Sequence, residues 1–206
     1  ILLFSQRDGT NTRSAYEFQA QTAQAQSDRS KFIVQSFSTR LLGGEASLGL
    51  RDIDKRFAGF DSVQAAGYTQ AEVDQFRREG GLKRSSWGLS DAKFGPTSLS
   101  FGQKSVVDGK SGIVWREASL KAGRFAFDAS SRSVAKGFGR FNDLGEQDRA
   151  QIAGEVGLHR ESVAMRYGGA SWTQKFIADD QGNGVKRLGF ALNQKGLKLG
   201  WEIGRA

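Results

Sequence analysis

From Lys31 to the end of the chain, apolar side chains recur at every second position, and glycine turns separate the runs. In the last run Leu197, Leu199, Trp201 and Ile203 share one face, while Lys198, Gly200, Glu202 and Gly204 share the other. Period two belongs to a β-strand with one apolar face. The same alternation occurs around Leu188–Leu192, Val163–Tyr167, Phe125–Asp128, Phe32–Phe37, Ala46–Ile53, Ser86–Ala92, Thr97–Lys104, Ile113–Leu120 and Trp172–Ala178. Asp108-Gly109, Ala122-Gly123, Leu42-Gly43-Gly44, Asn183-Gly184 and Lys195-Gly196 read as hairpin turns. Short loops between strands of this length exclude βαβ crossovers. The expected fold is all-β: an antiparallel up-and-down meander, forming a barrel or part of one.

The chain also says one thing twice. Arg51-Asp-Ile-Asp-Lys55-Arg-Phe57-Ala-Gly-Phe60 returns as Arg132-Ser-Val-Ala-Lys136-Gly-Phe138-Gly-Arg-Phe141. Glu79-Gly-Gly-Leu82-Lys-Arg84 returns as Glu155-Val-Gly-Leu158-His-Arg160. A period of about 80 residues implies a duplicated supersecondary unit. Each copy contains one segment that breaks the alternation. Thr69-Gln-Ala-Glu72 is a capping box ahead of Val73 and Phe76, stopped by Gly80-Gly81, and predicts a helix near 69–79. Its counterpart predicts a helix near 146–156. The chain therefore divides into a polar segment over 1–30, a β repeat over 31–111, a second over 112–184 and the start of a third over 185–206. The Gln- and Ala-rich 5–30 stretch is compatible with a strand pair, a linker or an arm. Opening on Ile and stopping within a third copy suggest a piece of a larger assembly.

Phe57, Phe60, Phe138 and Phe141 fall where a strand gives way to a helical loop. They are expected to pack beneath that loop and anchor the helix, since burying a large ring is worth several kcal/mol. Leu197, Leu199, Trp201 and Ile203 are expected to face lipid or a core. Arg51, Arg132, Lys55 and Lys136 either neutralise acidic loop residues beside them or stand as solvated charges at strand ends, and the second reading is the favoured one.

Catalytic chemistry finds little support. Without Cys there is no disulfide, thiol or Cys-ligated metal. His159 is the lone histidine and reads as a surface residue. Asp179-Asp-Gln-Gly-Asn-Gly184 has Gln at the third position of a calcium loop and Phe190 at the twelfth, which reads as a hairpin rather than an EF-hand. Gly137-Phe-Gly139 lacks the third glycine of a dinucleotide fingerprint. Glu146 and Asp148 suit a helix start. No cofactor is expected, and the chain reads as non-enzymatic. Its net charge of +8 favours polyanionic partners, but the cations are scattered, so nucleic acid is the less favoured partner. No run of 18 or more apolar residues exists.

A strand set with one apolar and one Gly-, Ser-, Lys- and Glu-bearing face either pairs with a second sheet in water or turns its apolar face to lipid. Over Lys31–Ala206 the pattern resembles that of bacterial outer-membrane β-barrels, in particular large ones built of repeated hairpins. The nearest thing to a motif is the Arg-x-[Ile/Val]-x-Lys-x-Phe-x-x-Phe segment at Arg51–Phe60 and Arg132–Phe141. The resemblance implies a structural or transport-related barrel component, in contact with outer-membrane lipid or lipopolysaccharide and with further repeats or subunits. Its inserted helices would be loops outside the hydrocarbon or would lie against the barrel. Two alternatives are a soluble or cell-surface β-repeat scaffold assembling through edge strands, and a basic β module binding polyanions.

Overall fold

The computed structural model describes residues 4–7, 18–27, 30–65, 67–152, 154–194 and 197–205. Among these residues twelve strands form one sheet in sequence order, and every neighbouring pair is antiparallel. They are β1 (Phe4–Arg7), β2 (Phe18–Ser27), β3 (Ser30–Leu41), β4 (Gly44–Ile53), β5 (Lys83–Phe94) and β6 (Thr97–Asp108), followed by β7 (Ser111–Ala122), β8 (Phe125–Val134), β9 (Leu158–Tyr167), β10 (Ala170–Asp179), β11 (Gly184–Gln194) and β12 (Leu197–Arg205). The expected meander is therefore present. The sheet is open, with β1 at one edge and β12 at the other. The polar stretch at the start of the chain supplies β1 and β2.

Two insertions interrupt the meander, both at the same end of the sheet. Between β4 and β5 lie α1 (Phe60–Ala65) and α2 (Gln70–Arg78). Between β8 and β9 lie a 3-10 turn (Phe141–Asp143) and α3 (Glu146–Ile152). One helix per insertion was expected, so α1 is an addition. Its six residues are too few to show a helical period, and burial of Phe60 and Val63, one turn apart, fixes it. In α2 the Thr69 and Glu72 side chains cap one another's backbone as the sequence predicts. α3 stops at Ile152, short of the expected 156, with Gly154 in the left-handed region at φ +76°.

The alternation changes phase along the strands. At the insertion end, inward-facing Phe32, Ile53, Leu82, Val106, Ile113 and Val134 are buried beneath the helices. Beyond them the same inner face turns polar, with Arg51, Ser86, Lys104, Glu117, Ser119, Ser130 and Ser162. Apolar residues there move to the opposite face: Leu48, Trp87, Leu89, Phe101, Leu120, Phe127, Met165, Trp172, Phe190 and Trp201, in register across neighbouring strands. A bulge in β5 places Ser90 and Asp91 opposite Ser100 and so keeps Phe94 on that outer face. Asp91 takes φ +52°, and its N–H donates to Ser100 Oγ at 2.9 Å. A cavity of about 790 Å³ lies over the inner face from β4 to β9, closed at one end by Gln147, Asp148 and Gln151 of the α3 insertion, so the polar face is the hollow, concave side. Gly88 and Gly102 lie opposite each other on it, and a Cβ on Gly88 would stand 3.0 Å from the Phe101 carbonyl oxygen. Close backbone approach at this point requires glycine.

Candidate functional site: the plugged concave face and the outer apolar belt

The insertions fill one end of the concave face through two separate apolar clusters. In the first, Phe32 stacks against Phe57 at 5.2 Å and meets Phe76 edge-on at 5.3 Å, while Phe57 and Phe60 make an edge-on pair at 5.0 Å. Ile53, Val63, Tyr68 and Val73 complete it. The second joins Leu82, Val106, Ile113, Val134, Phe138, Leu144 and Ile152. Phe57, Phe60 and Phe138 are 5%, 9% and 2% exposed. Phe141 is half-buried, and its ring meets Phe138 edge-on at 5.2 Å. These rings hold the helical segments onto the strand ends.

The two junctions are built from the same bonds. Phe57 N–H donates to Asp54 O, and Phe138 N–H to Ala135 O, both at 3.0 Å. Gly81 N–H donates to Ile53 O at 2.6 Å, and Gly157 N–H to Val134 O at 2.9 Å. Both glycines have positive φ, +88° and +74°, which lets the chain turn back onto the strand it left. The stems of Lys55 and Lys136 lie against them. Arg51 and Arg132 are ion-paired rather than free at the strand ends, which corrects the favoured reading of solvated charges. Arg51 pairs with Glu79, whose side chain is 1% exposed, and Arg84 pairs with the same carboxylate. Arg132 and Arg160 pair with Glu155 in the same manner, at 2.5 and 2.9 Å. Two cations per carboxylate compensate its removal from water.

The insertions touch each other through polar contacts. Arg84 reaches across to Asp148 of α3, and Lys104 pairs with the same carboxylate. Arg140 donates to the Gly80 and Arg78 carbonyls at 2.7 and 2.9 Å and pairs with Asp143 at 2.6 Å. A cation there satisfies carbonyls that the end of α2 leaves unbonded. Gln75 Nε2 donates to Asp143 O at 3.3 Å. These contacts were not legible in the sequence, because they join residues about 60 positions apart on separate elements.

Beyond the plug the concave face is a trough of small polar residues. Trp115 faces into it with Lys104 Nζ 5.4 Å from its ring centroid, and packs against the second cluster. The other three tryptophans stand on the convex face. Trp87 meets Phe101 there at 6.0 Å and Trp201 meets Phe190 at 6.4 Å. Leu199, Trp201 and Ile203 lie on this belt at 56%, 55% and 56% exposure. Leu197 opens β12, and its side chain lies outside the described residues. Neighbouring strands are spaced about 4.8 Å apart, so a belt crossing β3 to β12 is roughly 45 Å wide. Even a height of about 15 Å then gives more than the ~300–600 Å² of the largest apolar patch on an ordinary monomer.

Beyond the belt, the β10–β11 loop turns on Gly182 (φ +86°) rather than on Asn183-Gly184. Asp179 Oδ1 accepts from the Gln181 and Asn183 backbone amides at 3.0 and 2.9 Å. Hydrogen bonding from the Asn183 side chain, followed by the backbone amides, holds its carboxyl below the ordinary value despite some desolvation. Lys31, on β3 at the same end of the sheet, has its pKa raised by its hydrogen bond to Asp52. His159 bonds Glu161 at 2.8 Å on the convex surface. Among the described residues no group of three potential metal ligands occurs, and no helix is long and apolar enough to cross a membrane. No family model, curated protein or solved structure matches this chain.

Proposed function

We propose that this chain is a wall segment of a bacterial outer-membrane β-barrel, with a structural or transport role rather than an enzymatic one, built of duplicated four-strand units. The observation that carries this reading is the division of the sheet into a convex apolar belt and a concave polar trough. That division is the inside-out pattern of a membrane barrel. The open edges leave room for further strands. The duplicated junction bonds support a tandem arrangement in which each unit contributes one inward-packed helical plug. Those plugs would narrow the lumen at one end, where a strand set alone would leave it open.

A second reading has one observation in its favour. On β9 the belt runs from Val163 to Tyr167, and five residues at about 3.3 Å per residue rise only ~15 Å, against the ~25 Å band of membrane barrels. A belt of that height also suits a covering protein sheet, as in a surface scaffold. Flotation separates the two readings. Protein refolded with lipid vesicles is expected to float with them and to resist extraction by carbonate and urea. A chain that stays monodisperse in plain buffer and sediments away from vesicles would refute the membrane reading.

A further inference from the structure

The Arg84–Lys104 pair that grips Asp148 has a twin with nothing in it. Arg84 precedes Ser86 by two residues on β5, and Ser86 stands opposite Lys104 of β6. Arg160 precedes Ser162 by two residues on β9, and Ser162 stands opposite Lys175 of β10. The two Arg–Lys pairs thus occupy the same diagonal positions on the concave face, four strands apart. The first pair is occupied: Asp148 is 13% exposed and bound to both cations. In the second, Arg160 holds, among the described residues, only Glu155 and remains 46% exposed. Lys175 is exposed, and among the described residues no ion pair reaches it. Arg187, opposite Lys175 on β11, adds a third cation beside a cavity of about 460 Å³.

The step between units identifies what fits. Asp148 belongs to the insertion after β8 and reaches back to β5 and β6. An insertion four strands later reaches back, by the same step, to β9 and β10. We propose that Arg160 and Lys175 form a docking site for a carboxylate at the start of another short helix of the α3 type, carried by a further repeat unit. The inference rests on the duplicated architecture proposed above and is independent of whether the belt meets lipid. Like-charged side chains held side by side repel one another, and a carboxylate between them relieves this while adding charge-assisted hydrogen bonds.

Amine reactivity tests it on the intact chain. With acetic anhydride as the probe, Lys175 is expected to label several-fold faster than Lys104, and Asp148→Asn to raise the Lys104 rate toward that of Lys175. A peptide carrying the Phe138–Leu158 sequence, tethered by a disulfide to a Thr173→Cys variant, reaches an effective concentration of about millimolar. It is expected to slow Lys175 at least fivefold, while the same peptide with Asp148→Asn leaves the rate unchanged and Arg160→Ala in the protein weakens the protection. An unchanged Lys175 rate with the tethered Asp peptide, or equal slowing by the Asn peptide, overturns the docking site. A Lys104 rate indifferent to Asp148→Asn overturns its template instead. Flotation with vesicles is unaffected by either result, so failure here and failure of the membrane reading are distinguishable.

Discussion

Replacing Glu79 by Ala is the sharpest probe of the strand-to-helix junction. The Glu79 carboxylate is 1% exposed and accepts from Arg51, Arg84 and Gln75, the last at 2.6 Å. Truncating one partner of a buried ion pair costs about 3–5 kcal/mol, because the other charge is left without compensation. Two features reduce the figure. Arg51 is 30% exposed and can rehydrate, and Arg84 keeps Asp148. The expected loss is therefore about 3 kcal/mol, or roughly a hundredfold in a local opening equilibrium. Glu79→Gln keeps an acceptor and is expected to lose about half of that. The second junction supplies the control. Glu155 is 10% exposed and its partner Arg160 is 46% exposed, so Glu155→Ala is expected to cost only about 1–2 kcal/mol. Native-state hydrogen exchange at the Gly81 amide, bonded to Ile53 O, and at the Gly157 amide, bonded to Val134 O, reads each junction by itself. Equal acceleration at both amides, or less than tenfold at Gly81, would show that burial of the carboxylate does not set its contribution.

Three further expectations use other parts of the plug. Phe138→Ala should cost about 4 kcal/mol and the half-buried Phe141→Ala about 1–2 kcal/mol by denaturant titration; a reversed order would place the anchoring ring wrongly. Arg140→Ala removes two bonds to the carbonyls that end α2 and should accelerate exchange in its last turn while leaving its capped start unchanged. Because the Asp179 carboxyl is lowered in the folded chain, its contribution to the β10–β11 loop is complete above the ordinary carboxylate value and disappears as pH falls through the depressed one. NMR of the Asn183 amide against pH should therefore place its transition below that of an exposed aspartate, and Asp179→Ala should abolish the transition.

The sheet was legible because alternation and glycine turns act locally, strand by strand. The face assignment was only half legible. Leu82, Ile113 and Val134 continue the apolar character of their strands, but on the face opposite Trp87, Leu120 and Phe127. That switch in phase becomes meaningful only once the plug is known to cover one end. Phe57 and Phe60 carried their own signal as large rings at a repeated junction. Arg51 and Glu79 did not, since opposite charges 28 residues apart look solvated until the chain turns back at Gly81. A hint was present: Glu79 and Glu155 each precede a Gly-Leu-x-Arg segment. The Arg84–Asp148 contact had no sequence signal, because it depends on how an insertion packs against strands 64 residues away.

The placement of the convex face in lipid is tested most directly by quenching of single-tryptophan variants with brominated lipids in reconstituted vesicles. Chains retaining only Trp87, only Trp172 or only Trp201 should be quenched strongly. One retaining only Trp115, which faces the trough beside Lys104, should be quenched weakly. Equal quenching of all four, or strong quenching of Trp115 alone, would contradict the account.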